Sequence, residues 1–244
     1  MKRIIKLTFL SLSLLPVSAQ AADPFRDFGT AITAEAMKPF ARDIGGLMGS
    51  GLYHTGRSLG FSGFDIGVRY AMQFEPSKGN TVLQGAGVGS FGIPWLQAEI
   101  GMPFRLDGFI RAANFQGLTV SGGGVRWGVT SVNDSVYVPQ LMLVAAADTA
   151  VHRSFSVTHY SGGLALSWRL ETLTPYVGAG LDSTRLEVRE APAGSELVGS
   201  HVTVLEPNMT IGVSLRPKHY IYISAAGSYT HSRPLLTISS GIRF

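Results

Sequence analysis

From residue 64 onward, large apolar side chains recur at every second position in segments of about ten residues, and this limits the fold more than any other feature. In residues 64–74, Phe64, Ile66, Val68, Tyr70, Met72 and Phe74 alternate with Asp65, Gly67, Arg69, Ala71 and Gln73. A period of two puts the two sets on opposite faces of a strand. One such segment would suit a half-buried strand of any sheet, so repetition decides. Leu96, Ala98, Ile100 and Met102 alternate with Gln97, Glu99 and Gly101, and Val125, Trp127 and Val129 with Arg126 and Gly128. Tyr160, Leu164, Leu166, Trp168 and Leu170 alternate with His159, Ser161, Ala165, Ser167 and Arg169. Met209, Ile211, Val213 and Leu215 alternate with Thr210, Gly212, Ser214 and Arg216. Apolar-out and polar-or-small-in repeats of this length predict an all-β transmembrane barrel of antiparallel strands.

Composition agrees. The chain is 45% hydrophobic and 15% charged, a balance that also suits membrane helices. Yet after residue 22 no apolar run approaches the ~18 residues that a helix needs to span a bilayer. Residues 1–21 read as a signal peptide: a basic start, an apolar stretch from Leu7 to Val17, and Ala19 and Ala21 framing a cleavage site. Lys2, Arg3 and Lys6 leave with it, so 17 of the 20 basic residues remain against 16 acidic ones. That balance gives no electrostatic footprint for nucleic acid. Cysteine is absent, which excludes disulfides, a thiol nucleophile and a lipoprotein anchor.

Ten strands are predicted, near 62–74, 91–103, 105–115, 117–130, 137–150, 154–170, 174–189, 200–216, 219–230 and 234–244, with eight or twelve as alternatives. The links at Pro103, Phe104 and Arg105, at Glu171 and Thr172, and at Arg216, Pro217 and Lys218 read as short periplasmic turns. Stretches 75–90 and 190–200 read as outer loops, and an even count predicts both termini in the periplasm. Phe74, Trp95, Phe104, Trp127, Trp168, Tyr220 and Tyr229 fall near strand ends and are expected in interfacial belts. In the last strand Leu236, Ile238, Ile242 and Phe244 share a face that only Ser240 interrupts. A terminal aromatic closing such a strand resembles the recognition signal of bacterial outer-membrane barrels. It implies an outer-membrane location in a Gram-negative-type cell, with the barrel-assembly machinery and outer-membrane lipid as partners.

Before the strands the period is helical. Phe25, Phe28, Ile32, Ala36, Phe40, Ile44 and Leu47 form one stripe through residues 23–50, with Arg26, Asp27, Glu35, Lys38, Arg42 and Asp43 on other faces. Pro39 is expected to bend or interrupt the helix, and Gly45, Gly46, Gly49 and Gly51 to end it. The domain reading is a leader (1–21), an amphipathic helix and linker (22–60) and a barrel (61–244). Two placements of the helix compete. As a plug it would insert its stripe (Phe28, Ile32, Phe40, Ile44, Leu47) among the inward glycines Gly67, Gly123, Gly178 and Gly180. As an interfacial helix it would lie on the periplasmic leaflet. The inward glycines favour the plug.

The motifs GSGLYHTGR (49–57), GFDI (63–66) and LTPYVGAG (173–180) resemble an uncharacterised family of bacterial outer-membrane proteins that pair an N-terminal helix with a small barrel. That family implies no activity. More distantly, the helix-then-barrel order is similar to the long-chain fatty-acid transporter group, whose barrels are larger.

Parity puts Asp65, Arg69, Glu99, Arg111, Arg126, Arg169 and Asp182 on the inner face. Buried charges demand partners or water, so these predict a salt-bridged network filling the lumen, or an aqueous path. His159, Tyr160 and Ser161 look like the His-x-Ser motif of outer-membrane lipid A deacylases, in which a His activates a Ser. With Tyr160 facing lipid, however, His159 and Ser161 face the lumen, away from any acyl chain. His54, His152, His159, His201, His219 and His231 are scattered without metal-ligand spacing, and no metal or cofactor is expected. The leading functional reading is binding or passage of a small hydrophobic molecule through a helix-plugged lumen. Alternatives are a structural or adhesion barrel acting through its outer loops, and a lipid-modifying enzyme.

Overall fold

The structure is a computed structural model that describes residues 23–133, 135–218 and 220–244. The expected leader lies outside them. Ten antiparallel strands close into a barrel in sequence order, β1 pairing with both β2 and β10. They are β1 Phe64–Gln73, β2 Phe91–Gly101, β3 Leu106–Phe115, β4 Leu118–Gly128 and β5 Pro139–Val151. The second half comprises β6 Phe155–Trp168, β7 Leu173–Val188, β8 His201–Lys218, β9 Ile221–Thr230 and β10 Arg233–Arg243. Strand β8 runs through Arg216 and Pro217 with a register shift between Leu215 and Lys218, so that link is strand rather than turn.

The two faces sort as the alternation requires. Ile110 and Ile211 stand outward, 71% and 69% exposed, with Val68, Leu96, Tyr160 and Ile238 beside them. An outer wall of this kind is solvated by lipid. Leu236, Ile238, Ile242 and Phe244 all stay on that face, whereas Leu235 is buried inside. One expected belt residue is misplaced. Trp95 is buried in the lumen, because it is the odd neighbour of outward Leu96, and it lies under the Arg111 guanidinium at 4.3 Å.

The barrel has two unlike ends. At the proximal end lie the end of β10, the start of β1 and the links 102–105, 129–138, 169–172 and 219–220. The distal end carries the two longest connections, 74–90 and 189–200, and tight turns between the other strands. The connection 74–90 contains a short helix, α3 Thr81–Gly85, started by the Asn80 side chain accepting from Leu83 N.

Residues 23–63 thread the lumen from the distal end to the proximal one. Helix α1 is Phe28–Ala31 and helix α2 is Ala34–Gly49. Their apolar stripe seats in the distal third of the barrel. There Phe28 and Phe40 lie 4.8 Å apart, and Phe40 is 5.0 Å from Phe155 of β6. Ile32, Ile44 and Leu47 are fully buried in the same cluster. The described chain therefore starts at the distal end, with Asp23 Oδ2 3.2 Å from His152 in the β5–β6 turn. Expecting both termini at one end overlooked that a lumen-filling segment must enter from the far side to reach β1.

Two local expectations also change. Pro39 sits inside α2 without ending it, and the break falls at Thr33, whose extended backbone and side-chain bond to Ala36 N start the helix. The glycines that make room belong mainly to the helix. A side chain at Gly45 would strike Thr184, one at Gly46 His231, and one at Gly49 the Asp182 carboxylate. Of the wall glycines expected to receive the stripe, Gly178 lies against the segment at Tyr53, while Gly67, Gly123 and Gly180 meet only wall atoms.

Gly45→Val should overpack the helix–wall contact and cost about 1–3 kcal/mol. The readout is a lower temperature for loss of the folded barrel's gel mobility. Gly89→Val, where nothing lies within 4 Å, should leave that temperature unchanged.

Candidate functional site

The interior is organised around the chain leaving α2. Four backbone carbonyls at the end of a helix have no partner within it, and the helix dipole makes that end negative. Here wall arginines supply the partners. Arg111 of β3 donates from Nη2 to Met48 O at 2.6 Å and from Nη1 to Ser50 O at 3.2 Å. Arg69 of β1 donates to Gly51 O, and Arg126 of β4 to Leu52 O. Gly51 takes φ +70°, a left-handed turn that glycine adopts without strain. The Ser50 hydroxyl closes the helix by donating to Gly46 O at 2.7 Å.

Each of these guanidiniums is also paired. Arg69 donates to Glu99 Oε1 at 2.6 Å, and Arg126 pairs with the other oxygen of the same carboxylate. Gln97 Nε2 adds a third donor to Glu99 at 2.7 Å. Arg111 forms a two-pronged pair with Asp148 of β5, one bond being 2.7 Å from Nε. The Arg126 guanidinium also lies 4.8 Å over the Phe109 ring. All these groups are buried, so each charge has a counter-charge and a hydrogen bond where water is excluded.

Further down, His54 stacks on Tyr222 with ring centres 4.0 Å apart and accepts from Arg243 Nη2 at 3.0 Å. Burial, with Arg243 and Arg69 adding to it, holds the His54 pKa well below the ordinary 6.5, so the ring is neutral. Arg243 Nε donates to Asp65 Oδ2 at 3.2 Å, and the Tyr222 hydroxyl donates to Asp65 Oδ1 at 3.0 Å. The segment leaves the lumen through Gly56 N donating to Ser167 Oγ at 2.9 Å and Leu59 N donating to Asp107 Oδ2 at 2.9 Å.

Of the charges read as one inner network, Asp65, Arg69, Glu99 and Arg126 do meet in a single cluster. Arg111 forms a separate pair with Asp148. Asp182 has no part in either; it accepts from Ser161 Oγ at 2.6 Å and Asn208 Nδ2 at 2.7 Å. Arg169 is only half-buried and lies at the proximal mouth, where its Nε donates to Glu171 O at 3.2 Å. It sits at the very end of its strand, where inward parity no longer means the lumen. Asp148, Arg243, His54 and Tyr222 are the members that the sequence reading did not count.

At the distal end Asp43 of α2 is fully buried and collects donors from the cap. Gln73 Nε2 reaches Oδ1 at 2.7 Å, Ser77 Oγ donates to Oδ1 at 2.5 Å, Ser77 N to Oδ2 at 2.8 Å and Asn80 Nδ2 to Oδ2 at 2.6 Å. His231 in the β9–β10 turn lies 3.2 Å away. One carboxylate thus ties the helix to the connection 74–90 and to a turn across the rim. Burial alone would raise its pKa, but these bonds together hold it below the ordinary 3.8.

The His159 and Ser161 pair faces the lumen and is buried. His159 Nε2 is 2.8 Å from Ser161 Oγ, but the serine hydroxyl donates to Asp182, and His159 Nδ1 meets Thr184 Oγ1 at 2.9 Å. The ring therefore lacks the carboxylate that orients a general base in a triad.

No family model and no curated protein matches the chain. Solved outer-membrane barrels resemble it at the level of architecture. Neisserial surface protein A is 14% identical over 74% of this chain and 95% of its own, with a TM-score of 0.33. Outer membrane protein OprG from Pseudomonas aeruginosa is 11% identical over 78% and 99%, with a TM-score of 0.39. KdgM porin, solved with disordered oligogalacturonate, is 7% identical over 74% and 99%, also at 0.39. At these values no residue role passes from them to this chain. None of the three belongs by description to the fatty-acid transporter group, and that likeness gains no support.

Arg111→Met should cost about 3–5 kcal/mol, because it strands the buried Asp148 carboxylate. Adding Asp148→Leu should recover much of the loss, which a double-mutant cycle in urea would measure. The pKa of Asp43 is lower in the folded state than in the unfolded chain. Its contribution is therefore present at neutral pH and is lost as the pH falls below about 3.8. Asp43→Asn should lower stability at pH 7 and flatten the decline below that pH.

Proposed function

We propose that this chain is an outer-membrane barrel of a Gram-negative-type cell, shut by its own N-terminal segment, that acts through its distal cap without enzymatic chemistry. The observation that carries this reading is the grip of Arg69, Arg111 and Arg126 on the carbonyls of residues 48–52. It fixes the segment across the bore at mid-height. Two cavities beside the segment measure about 10 Å³ each, room for about one water. A small-molecule site typically needs about 300 Å³ or more. Short turns face the periplasm and long loops the exterior in such barrels, so the distal cap is outside and the proximal mouth inside. The cap then presents α1, α3 and the connections 74–90 and 189–200 to the cell's surroundings.

Passage of a small hydrophobic molecule is the second reading. It is favoured by the apolar lining of the distal third, around Phe28, Phe40 and Phe155, which withdrawal of α2 would open. The hydrolase reading is set aside on the His159 geometry given above.

Proteoliposomes carrying the intact chain should leak small solutes no faster than empty vesicles, and removal of residues 23–50 should raise the flux if the barrel still assembles. Steady conductance from the intact chain would overturn the closed-barrel reading. Arg26→Cys, on an exposed side chain, should react with a membrane-impermeant maleimide on whole cells. Labelling only after the outer membrane is broken would contradict the outward cap.

A further inference from the structure

A cleft of about 500 Å³ opens at the proximal mouth, away from the clamp and the distal cap. Arg57 of the segment, Arg169 at the end of β6, Arg216 and Lys218 of β8 and Arg243 of β10 converge on it. Against these five cations stand Glu171 and the terminal carboxyl of Phe244. Topology brings the cations together from four stretches of chain far apart in sequence. Arg243 Nη1 is buried and makes no hydrogen bond, although its Nε and Nη2 are held by Asp65 and His54. The cleft is therefore lined by guanidiniums held in place from behind, under a positive potential that the local carboxylates do not balance.

We infer that this mouth is a binding site for a phosphate-bearing ligand. Guanidinium forks match phosphate oxygens in pairs, and a site with several of them selects a doubly charged or polyanionic group over a lone carboxylate. The cleft also has an apolar lip. Tyr220 and Phe244 lie 5.6 Å apart, 53% and 66% exposed, on the side where the outward face of β10 meets the membrane surface. Aromatic rings in that position sit at the level of lipid headgroups. The phosphate can thus come from the headgroup of an anionic phospholipid in the adjoining leaflet, or from a soluble phosphate compound. This inference stands whether or not the barrel conducts, since the cleft lies outside the clamp.

The test uses the full chain purified in zwitterionic detergent. Native mass spectrometry measures retention of phosphatidylglycerol against phosphatidylcholine, and calorimetry measures binding of inorganic phosphate. Variants are the double substitution Arg169→Gln with Arg216→Gln, and separately Lys218→Glu. Preferential retention of phosphatidylglycerol that falls about tenfold in the variants supports the site and assigns it to lipid. Phosphate binding that falls equally, with no preference between the lipids, supports the site and assigns it to a soluble ligand. If neither ligand distinguishes the wild-type chain from variants that keep the folded gel mobility, the inference is wrong. Lys218 is exposed and outside the buried networks, so its variant keeps the test decisive should the double variant fail to assemble.

Discussion

Backbone N–H and C=O groups facing hydrocarbon have no water to bond, so every one must find a partner within the protein. A sheet meets that demand only by closing, and here β1 closes on β10 with a continuous register from Asp65 with Arg243 to Gln73 with Leu235. Closure then sets the next problem. A ten-stranded wall encloses more space than its own inward side chains fill, and inward residues such as Gly67, Gly122 and Ala71 leave room. The chain fills that space with its own N-terminal segment.

How the segment is held follows from the low dielectric inside. A guanidinium buried alone would be prohibitively costly, and so would four free helix carbonyls. Joining the two removes both costs. Glu99 and Asp148 complete the charge balance, so the arginines serve the wall and the segment at once. The same economy operates at the distal rim, where the Asp43 carboxylate replaces its hydration with donors from three separate parts of the cap. Interior polar groups in this barrel act chiefly as fasteners. Its open volume lies at the proximal mouth.

Much of the architecture was legible before the structure. Ten strands appear within a few residues of the expected bounds, because lipid outside and packing inside impose a strict period of two. Parity also placed Arg69, Glu99, Arg111 and Arg126 correctly. It failed where its contrast vanished. Asp148 lies in a stretch where Leu141, Met142, Leu143, Val144, Ala145, Ala146 and Ala147 are apolar on both faces, so neither face could be told from the other. The apolar distal third was visible in Phe155 and Val157, which share the inward parity of His159 and Ser161. Trp95 was misassigned by its nearness to a strand end, although the parity of its own strand already turned it inward.

What the sequence determined by itself is the wall: strand number, the lipid-facing side and the inward charges, because each depends on local alternation under a uniform solvent. Only the tertiary structure decided the rest. Which inward charges meet depends on strand stagger, which brings Arg69 and Arg126 to one carboxylate from different strands. That the helix enters from the distal end, with its own glycines rather than the wall's making the fit, depends on how a segment threads a closed bore. That Arg57, Arg169, Arg216, Lys218 and Arg243 surround one cleft depends on both. No periodicity encodes these outcomes, because they arise from residues far apart in the chain being brought together by closure.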